Sequence, residues 1–196
     1  WIFLAAFIYS TEFPILFEDE FVLAIDKPAG IAVHGGSGVS SGIIEQLRCA
    51  RTPKFLELVH RLDRETSGIL LLAKKRSALT AAQQSLREGS WKKEYLVGVF
   101  GHPTFEKKEI RLALSKNICE EKTRKVFVDE QNGQFALSRF TVKQRLNLGS
   151  LMTARILTGR THQIRVHAAA LGLPVVGDER YGDFVQNKAL RIKRML

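Results

Sequence analysis

Apolar residues recur along this chain in short runs punctuated by Gly, Pro and charged clusters, and most runs alternate with a period of two. In PILFEDEFVLAIDKPAG (14–30) two apolar runs flank an acidic turn. The second run alternates Phe21, Leu23 and Ile25 with Val22 and Ala24 before Pro28 stops it, which predicts a β-hairpin. VHGGSGVSSG (33–42) reads as a Gly/Ser loop, and the following Ile43, Ile44 and Leu47 have helical spacing. LVHRL and GILLLAK, rich in branched apolar residues, predict strands on either side of a connection that holds Asp63. SALTAAQQSLREG (77–89) predicts a helix with Ser77 at its cap, Leu79, Ala82 and Leu86 on one face and Gly89 at its stop.

Further on, KKEYLVGVFG alternates Tyr95, Val97 and Val99 in strand fashion. Asn132-Gly133 lies between two β-prone runs, a strong hairpin signal. LMTARILTG continues as a strand, and THQIRVHAAALG predicts a helix capped by Thr161 and stopped by Gly172. The basic tail NKALRIKRML is expected to form a last helix. Meandering strands with a few interspersed helices, and no regular βαβα alternation, indicate an α+β fold with a mixed, largely antiparallel sheet. No repeat and no linker divides it, so residues 14–196 are expected to form one domain. Residues 1–13 are read as an N-terminal arm or the remnant of an upstream linker. The apolar run WIFLAAFIYS is too short for a bilayer span of about 20 residues and lacks the charged start of a signal peptide.

Composition narrows the partners. The 196 residues carry 30 Lys plus Arg against 20 Asp plus Glu, a formal charge of +10, which favours a polyanion such as nucleic acid or a lipid surface. Cys49 and Cys119 stand far apart in no CxxC pattern, so the sequence suggests neither a disulfide framework nor a zinc site, and a reducing, cytoplasmic setting fits. The chain does not begin with Met, its two being Met152 and Met195, and it is therefore read as a fragment.

Three polar clusters hold the candidate chemistry: HRLDRETSG with Asp63, KKEYL with Tyr95, and GRTHQIRVH with Arg160, His162, Arg165 and His167. Each has an ordinary reading as well. An Asp flanked by arginines is most often a solvated ion pair worth under about 1 kcal/mol, and a strand Tyr is most often core with its hydroxyl at the rim. The Gly/Ser loop has neither the lysine of a Walker phosphate loop nor a GxGxxG pattern. His162 and His167 are five apart, about 140° around a helix, unlike the i, i+4 pair of a zinc helix. No pair of carboxylates marks a glycosidase.

Taken together and in order, HRLDRETSGILLLAKK, KKEYL and TGRTHQIRVHAAALGLPVVGDERYG resemble the signature of the ribosomal large-subunit pseudouridine synthases, and KPAGIAVHGGSG resembles subtype C. The similarity runs from about residue 14 to about 184. It implies an enzyme that isomerises selected uridines of large-subunit (23S) ribosomal RNA to pseudouridine, with no metal and no organic cofactor. By the resemblance, Asp63 is the catalytic carboxylate, Tyr95 the aromatic that stacks on the target uracil, and Arg165 the basic partner of Asp63. Arg61 matches the residue that helps displace the target nucleotide. Arg160 falls within the matched motif and is assigned to RNA, and His162 and Gln163 match positions that support the pocket.

The residue types suit the reaction. An Asp, with a reference pKa of about 3.9, is ionised at neutral pH and can attack C1′ of the sugar, attack C6 of the base, or take a proton from C2′. The sequence does not choose among these. A target stacked in RNA must be flipped out at a cost of a few kcal/mol, and basic runs at 74–76, 92–93, 107–108, 122–125 and 191–194 supply phosphate contacts. The partner is therefore ribosomal RNA, reached by a monomer with no obligatory protein partner.

Two departures from the pattern stand out. The upstream RNA-binding domain of S4 type that this subtype commonly carries is not visible, and Leu173 stands where a histidine is frequent. The competing readings are a catalytically silent RNA-binding or ribosome-assembly module of the same fold, and an RNA-cleaving enzyme using His162 or His167.

Overall fold

The computed structural model describes residues 13–36, 41–118, 124–192 and 195. Residues 1–12 of the N-terminal arm, residues 37–40 of the Gly/Ser loop, residues 122 and 123 of the basic run at 122–125 and residues 193, 194 and 196 of the tail lie outside the described residues. The chain groups into two compact units, one up to Ser85 and one from Leu86 onward.

The first unit holds a four-stranded antiparallel sheet. Strands β1 (Ile15–Glu18) and β2 (Val22–Lys27) form the expected hairpin. Its acidic turn closes because the Asp19 carboxylate accepts the amide protons of Phe21 and Val22, both at 2.7 Å. After helix α1 (Ile43–Arg51), strands β3 (Glu57–Leu58) and β4 (Gly68–Ala73) complete the order β1-β2-β4-β3. The alternation seen in the sequence is the packing pattern: Leu23 pairs with Leu72 and Ile25 with Leu70, all four fully buried, while Ile69 faces out.

The predicted strand LVHRL shortens to its first residue. Val59 still donates to the Leu71 carbonyl, but the Leu71 amide donates to Nε2 of His60 instead of returning to β3. A side chain has taken the next rung, and the chain leaves the sheet as the loop that carries Asp63.

Helix α2 (Arg76–Arg87) begins one residue before Ser77, which therefore lies inside the helix and does not cap it. Gly89 follows in the left-handed region (φ 73°), as its stop requires.

The second unit is built on strands β5 (Lys93–Phe100), β6 (Lys107–Ile118), β7 (Arg124–Val128), β8 (Gln134–Leu146) and β9 (Gly149–Ile156), ordered β5-β9-β8-β6-β7, every pair antiparallel. Val97, Val99, Ile110, Phe140, Met152 and Ala154 form its core with Ala168 of helix α3 (Gln163–Ala170).

Asn132-Gly133 is not a hairpin turn. β7 and β8 both run antiparallel to β6, so they point the same way, whereas strands joined by a two-residue turn must point opposite ways. Segment 129–133 instead carries the chain across β6, and Gly133 is needed for the close approach: a Cβ there would lie 2.7 Å from the Leu114 amide nitrogen and would also collide with the Asp129 carbonyl. Gly133→Ala is expected to lower stability by about 1–3 kcal/mol, measured as a lower urea midpoint at unchanged slope.

Two helix ends also differ from expectation. Thr161 does not cap α3; His162 does, in a left-handed conformation (φ 53°), while Gly172 (φ 71°) stops the helix as predicted. The tail helix, α4 (Phe184–Ala189), starts upstream of NKALRIKRML, capped by the Asp183 carboxylate accepting the Gln186 amide, and ends before Arg191.

Candidate active site

Asp63 and Arg61 belong to the first unit; Tyr95, Arg160, His162, Gln163 and Arg165 belong to the second. Asp63 is half-buried and Arg61 exposed. The Asp63 carbonyl accepts the Thr66 amide at 3.1 Å, making a tight turn, and the Arg64 carbonyl accepts the Gly30 amide at 2.8 Å. Arg64 itself pairs with Glu65, its neighbour, in an exposed ion pair.

Beneath this turn sits Lys27, fully buried. Its Nζ donates to the carbonyls of Pro28 (2.9 Å), Arg64 (2.9 Å) and Thr66 (2.7 Å), so all three ammonium protons are used and two of them hold the segment that follows Asp63. Burial pulls the Lys27 pKa down to about 8, against the opposing pull of the Glu65 and Asp63 carboxylates.

The sign of the resulting pH dependence follows. Lys27 has a lower pKa in the folded than in the unfolded chain, so between pH 8 and about 10.5 the unfolded chain holds the proton more often. In that window the stability of the unaltered protein relative to Lys27→Met is expected to rise with pH, measured by urea unfolding; a fall would contradict the assignment.

In the second unit the residues around the start of α3 are interlocked. Arg165 is nearly buried, and its Nε and Nη2 donate to the two oxygens of Asp178, each at 2.7 Å. Asp178 also accepts the amides of Arg180 and Tyr181. Burial alone would raise the Asp178 carboxyl, but Arg165 and these amides outweigh it and hold the group below its ordinary value. The guanidinium lies 5.1 Å from the centre of the Tyr181 ring, which braces its other side. A guanidinium has five N–H donors, so Asp178 does not exhaust Arg165. The Tyr181 hydroxyl accepts the Val126 amide and bonds Nδ1 of His162 at 2.8 Å, and burial raises its pKa, keeping it a neutral phenol.

Gln163 is buried with every polar position of its amide occupied. Oε1 accepts from Thr158 Oγ1 and the Arg160 amide; Nε2 donates to the Leu137 carbonyl and Ser138 Oγ. It fastens the TGRTH loop to β8. Arg160 is exposed, with Nε donating to the Phe135 carbonyl at 3.0 Å. Tyr95 stands half-buried on β5 against the core, opposite Ala154. His167 is wholly buried and burial lowers its pKa, so it cannot reach RNA as the acid or base of a cleavage reaction.

Sequence reasoning left out Lys27, Asp178 and Tyr181. Lys27 had a legible signal, since it continues the inward series Leu23, Ile25, Lys27 on one face of β2. Asp178 and Tyr181 lie in the GDERYG end of the third motif but had no local signal of their own, because their partners Arg165, His162 and Val126 lie 13 to 55 positions away.

The profile of the RNA pseudouridylate synthase family matches residues 21–170. The chain is 51% identical over 170 residues to the ribosomal large subunit pseudouridine synthase C of Pasteurella multocida (strain Pm70), covering 86% of this chain and 52% of that protein. It is 49% identical to the synthase C of Escherichia coli (strain K12), with 86% and 53% covered. The chain thus spans about half the length of these relatives. Among solved structures, human RNA pseudouridylate synthase domain containing 1 superposes with a TM-score of 0.80 at 27% identity, over 95% of this chain and 76% of that one. Human RNA pseudouridylate synthase domain containing 4, at 24% identity and a TM-score of 0.71 over 87% and 69%, shares the fold.

Proposed function

Because the chain belongs to the RNA pseudouridylate synthase family, we propose that it isomerises specific uridines of large-subunit ribosomal RNA to pseudouridine, with Asp63 as the catalytic carboxylate. The observation that carries the role of Asp63 is its turn: half-buried, closed on itself, and clamped from below by a fully buried lysine. Such a clamp holds a reacting group in one position, which lowers the entropic part of the barrier.

The N-glycosidic bond breaks, the freed uracil turns without leaving, and C5 bonds to C1′ of the ribose while the C5 proton departs to solvent and N1 takes up a proton. Asp63 attacks sugar or base, or removes the C2′ proton, and each route needs an ionised carboxylate. In this proposal Arg165 is the basic partner that orients Asp63, and the bidentate hold of Asp178 on Arg165 supports this role by fixing the guanidinium. Tyr95 offers its ring face to the loosened uracil. Arg61, exposed beside Asp63 in the chain, helps displace the target nucleotide from its stack. Arg160 contacts RNA, while His162 and Gln163 act through the loop they hold.

The substrate is ribosomal RNA, and the chain acts on it as a monomer in the cytoplasm. Among the basic runs, Lys75 and Lys92 lie in exposed pairs with Glu20 and Glu94, weak enough to open toward phosphate, while Lys74 lies in a half-buried pair with Glu18. RNA affinity is expected to fall linearly with log salt, with a slope of roughly −0.7 per phosphate contacted, and a flat dependence would remove the basic surface from the proposal. The test of the substrate is to map pseudouridines in ribosomal RNA from cells with and without the gene. Loss of specific sites, restored by the gene and not by its Asp63→Asn form, is expected; an unchanged map would refute it.

A further inference from the structure

A cleft of about 320 Å³ opens in the second unit where β6, the start of β8 and the TGRT loop meet. Its rim carries Ser115, Lys116, Asn132, Gln134, Arg160 and Thr161, and buried Leu114 and Val126 form an apolar floor. Among the described residues, two cations and no carboxylate line it, so it favours an anion. The volume is at the small end of ligand pockets, roughly 300–1,000 Å³, and fits a single nucleotide better than a stretch of duplex.

The walls are held in place. Arg160 is tied through Nε to the Phe135 carbonyl and through its amide to Gln163, which is anchored in turn to Ser138 and Leu137 of β8. Asn132 enters through the 129–133 crossing, whose course depends on Gly133, and two bonds from its own and the Gln131 amide to Asp129 Oδ1 hold that crossing. Side-chain amides carried on a held backbone beside an apolar surface can bond the edge of a base whose face lies on that surface.

Resting on the pseudouridine synthase reading, we propose that this cleft binds one unpaired nucleotide of the RNA other than the target uridine. Its phosphate lies between Lys116 and Arg160, its base rests on Leu114 and Val126, and Asn132 and Gln134 bond the base edge. The cleft thereby contributes to the choice of which uridine is modified.

Two variants separate phosphate contact from base contact: Lys116→Met, and the double substitution Asn132→Ala with Gln134→Ala. The probes are unpaired ribosomal RNA oligomers of defined sequence, followed by fluorescence anisotropy. Lys116→Met is expected to weaken binding roughly fivefold for every sequence and to reduce the log-salt slope by about 0.7 to 1. The amide variant is expected to keep the salt slope and to lose preference among oligomers differing at one base beside the target. An oligomer carrying 4-thiouridine at that neighbouring position is expected to photo-crosslink to a peptide containing Lys116 or Gln134.

Unchanged slope and sequence preference in these variants, with crosslinks elsewhere, would overturn the proposal. So would a protein partner that competes with no RNA yet protects Lys116 from acetylation. Binding is read without catalysis, so these results stand apart from a failure to form pseudouridine, which would count against the enzymatic reading alone.

Discussion

Asp63→Asn is expected to reduce pseudouridine formation by at least roughly a thousandfold in kcat, with the fold and RNA affinity retained. The substitution keeps the size of the side chain and removes only its charge and basicity. All three routes open to Asp63 lose their reagent: an amide neither attacks C1′ or C6 nor takes a proton from C2′. The turn is expected to persist, because the Asp63 and Arg64 carbonyls that accept the Thr66 amide and Lys27 Nζ are left untouched. RNA affinity should hold or rise slightly, since a negative charge beside phosphate has gone. A second readout checks that the right environment was altered: the Asp63 carboxylate pulls the Lys27 pKa upward, so its removal should send Lys27 further below about 8. Single-turnover kinetics with gel-shift titration and a lysine-selective NMR titration give the three values. Activity within tenfold of the unaltered protein would dismiss Asp63 from catalysis.

Asp178→Ala is expected to have the largest effect on stability, about 3–5 kcal/mol, because it strips a nearly buried guanidinium of its bidentate partner and leaves two backbone amides without their acceptor. At roughly 2–4 °C per kcal/mol for a chain of this size, the melting temperature should drop by about 6–20 °C. The pH dependence has a definite sign. Asp178 is held below its ordinary value in the folded chain, so the stability from its pairing is present above the unfolded carboxylate pKa of about 3.9 and is lost as pH falls through the folded value. The gap between the two melting temperatures should therefore be widest near neutrality and close in acid. A gap under about 2 °C at pH 7 would show that Asp178 does not brace Arg165.

Local chemistry made much of the fold legible. The β1–β2 hairpin follows from an alternating run, a stop at Pro28 and an Asp in the turn, all within fifteen residues. The strands around Tyr95 and Met152, the helix through Ala82 and the stops at Gly89 and Gly172 are likewise local. Misreadings arose where a distant partner overrode a local signal. Asn132-Gly133 has the composition of a hairpin turn, yet β6 recruits both flanking runs and turns the pair into a crossing. LVHRL has strand propensity, but His60 takes the bond that would extend the strand. The residues proposed to react came from motif resemblance, since Asp63 between two arginines looks ordinary by composition. The residues that hold them came from the structure: Lys27 under the Asp63 turn, Asp178 and Tyr181 around Arg165.

The most direct test is tritium release from ribosomal RNA labelled at C5 of uracil, because isomerisation replaces the C5–H bond with a C5–C1′ bond and no other reading of this chain does so. The unaltered protein should release tritium in proportion to the pseudouridine formed, with the RNA backbone intact. No release from any ribosomal RNA preparation, or release accompanied by strand scission in place of pseudouridine, would contradict it.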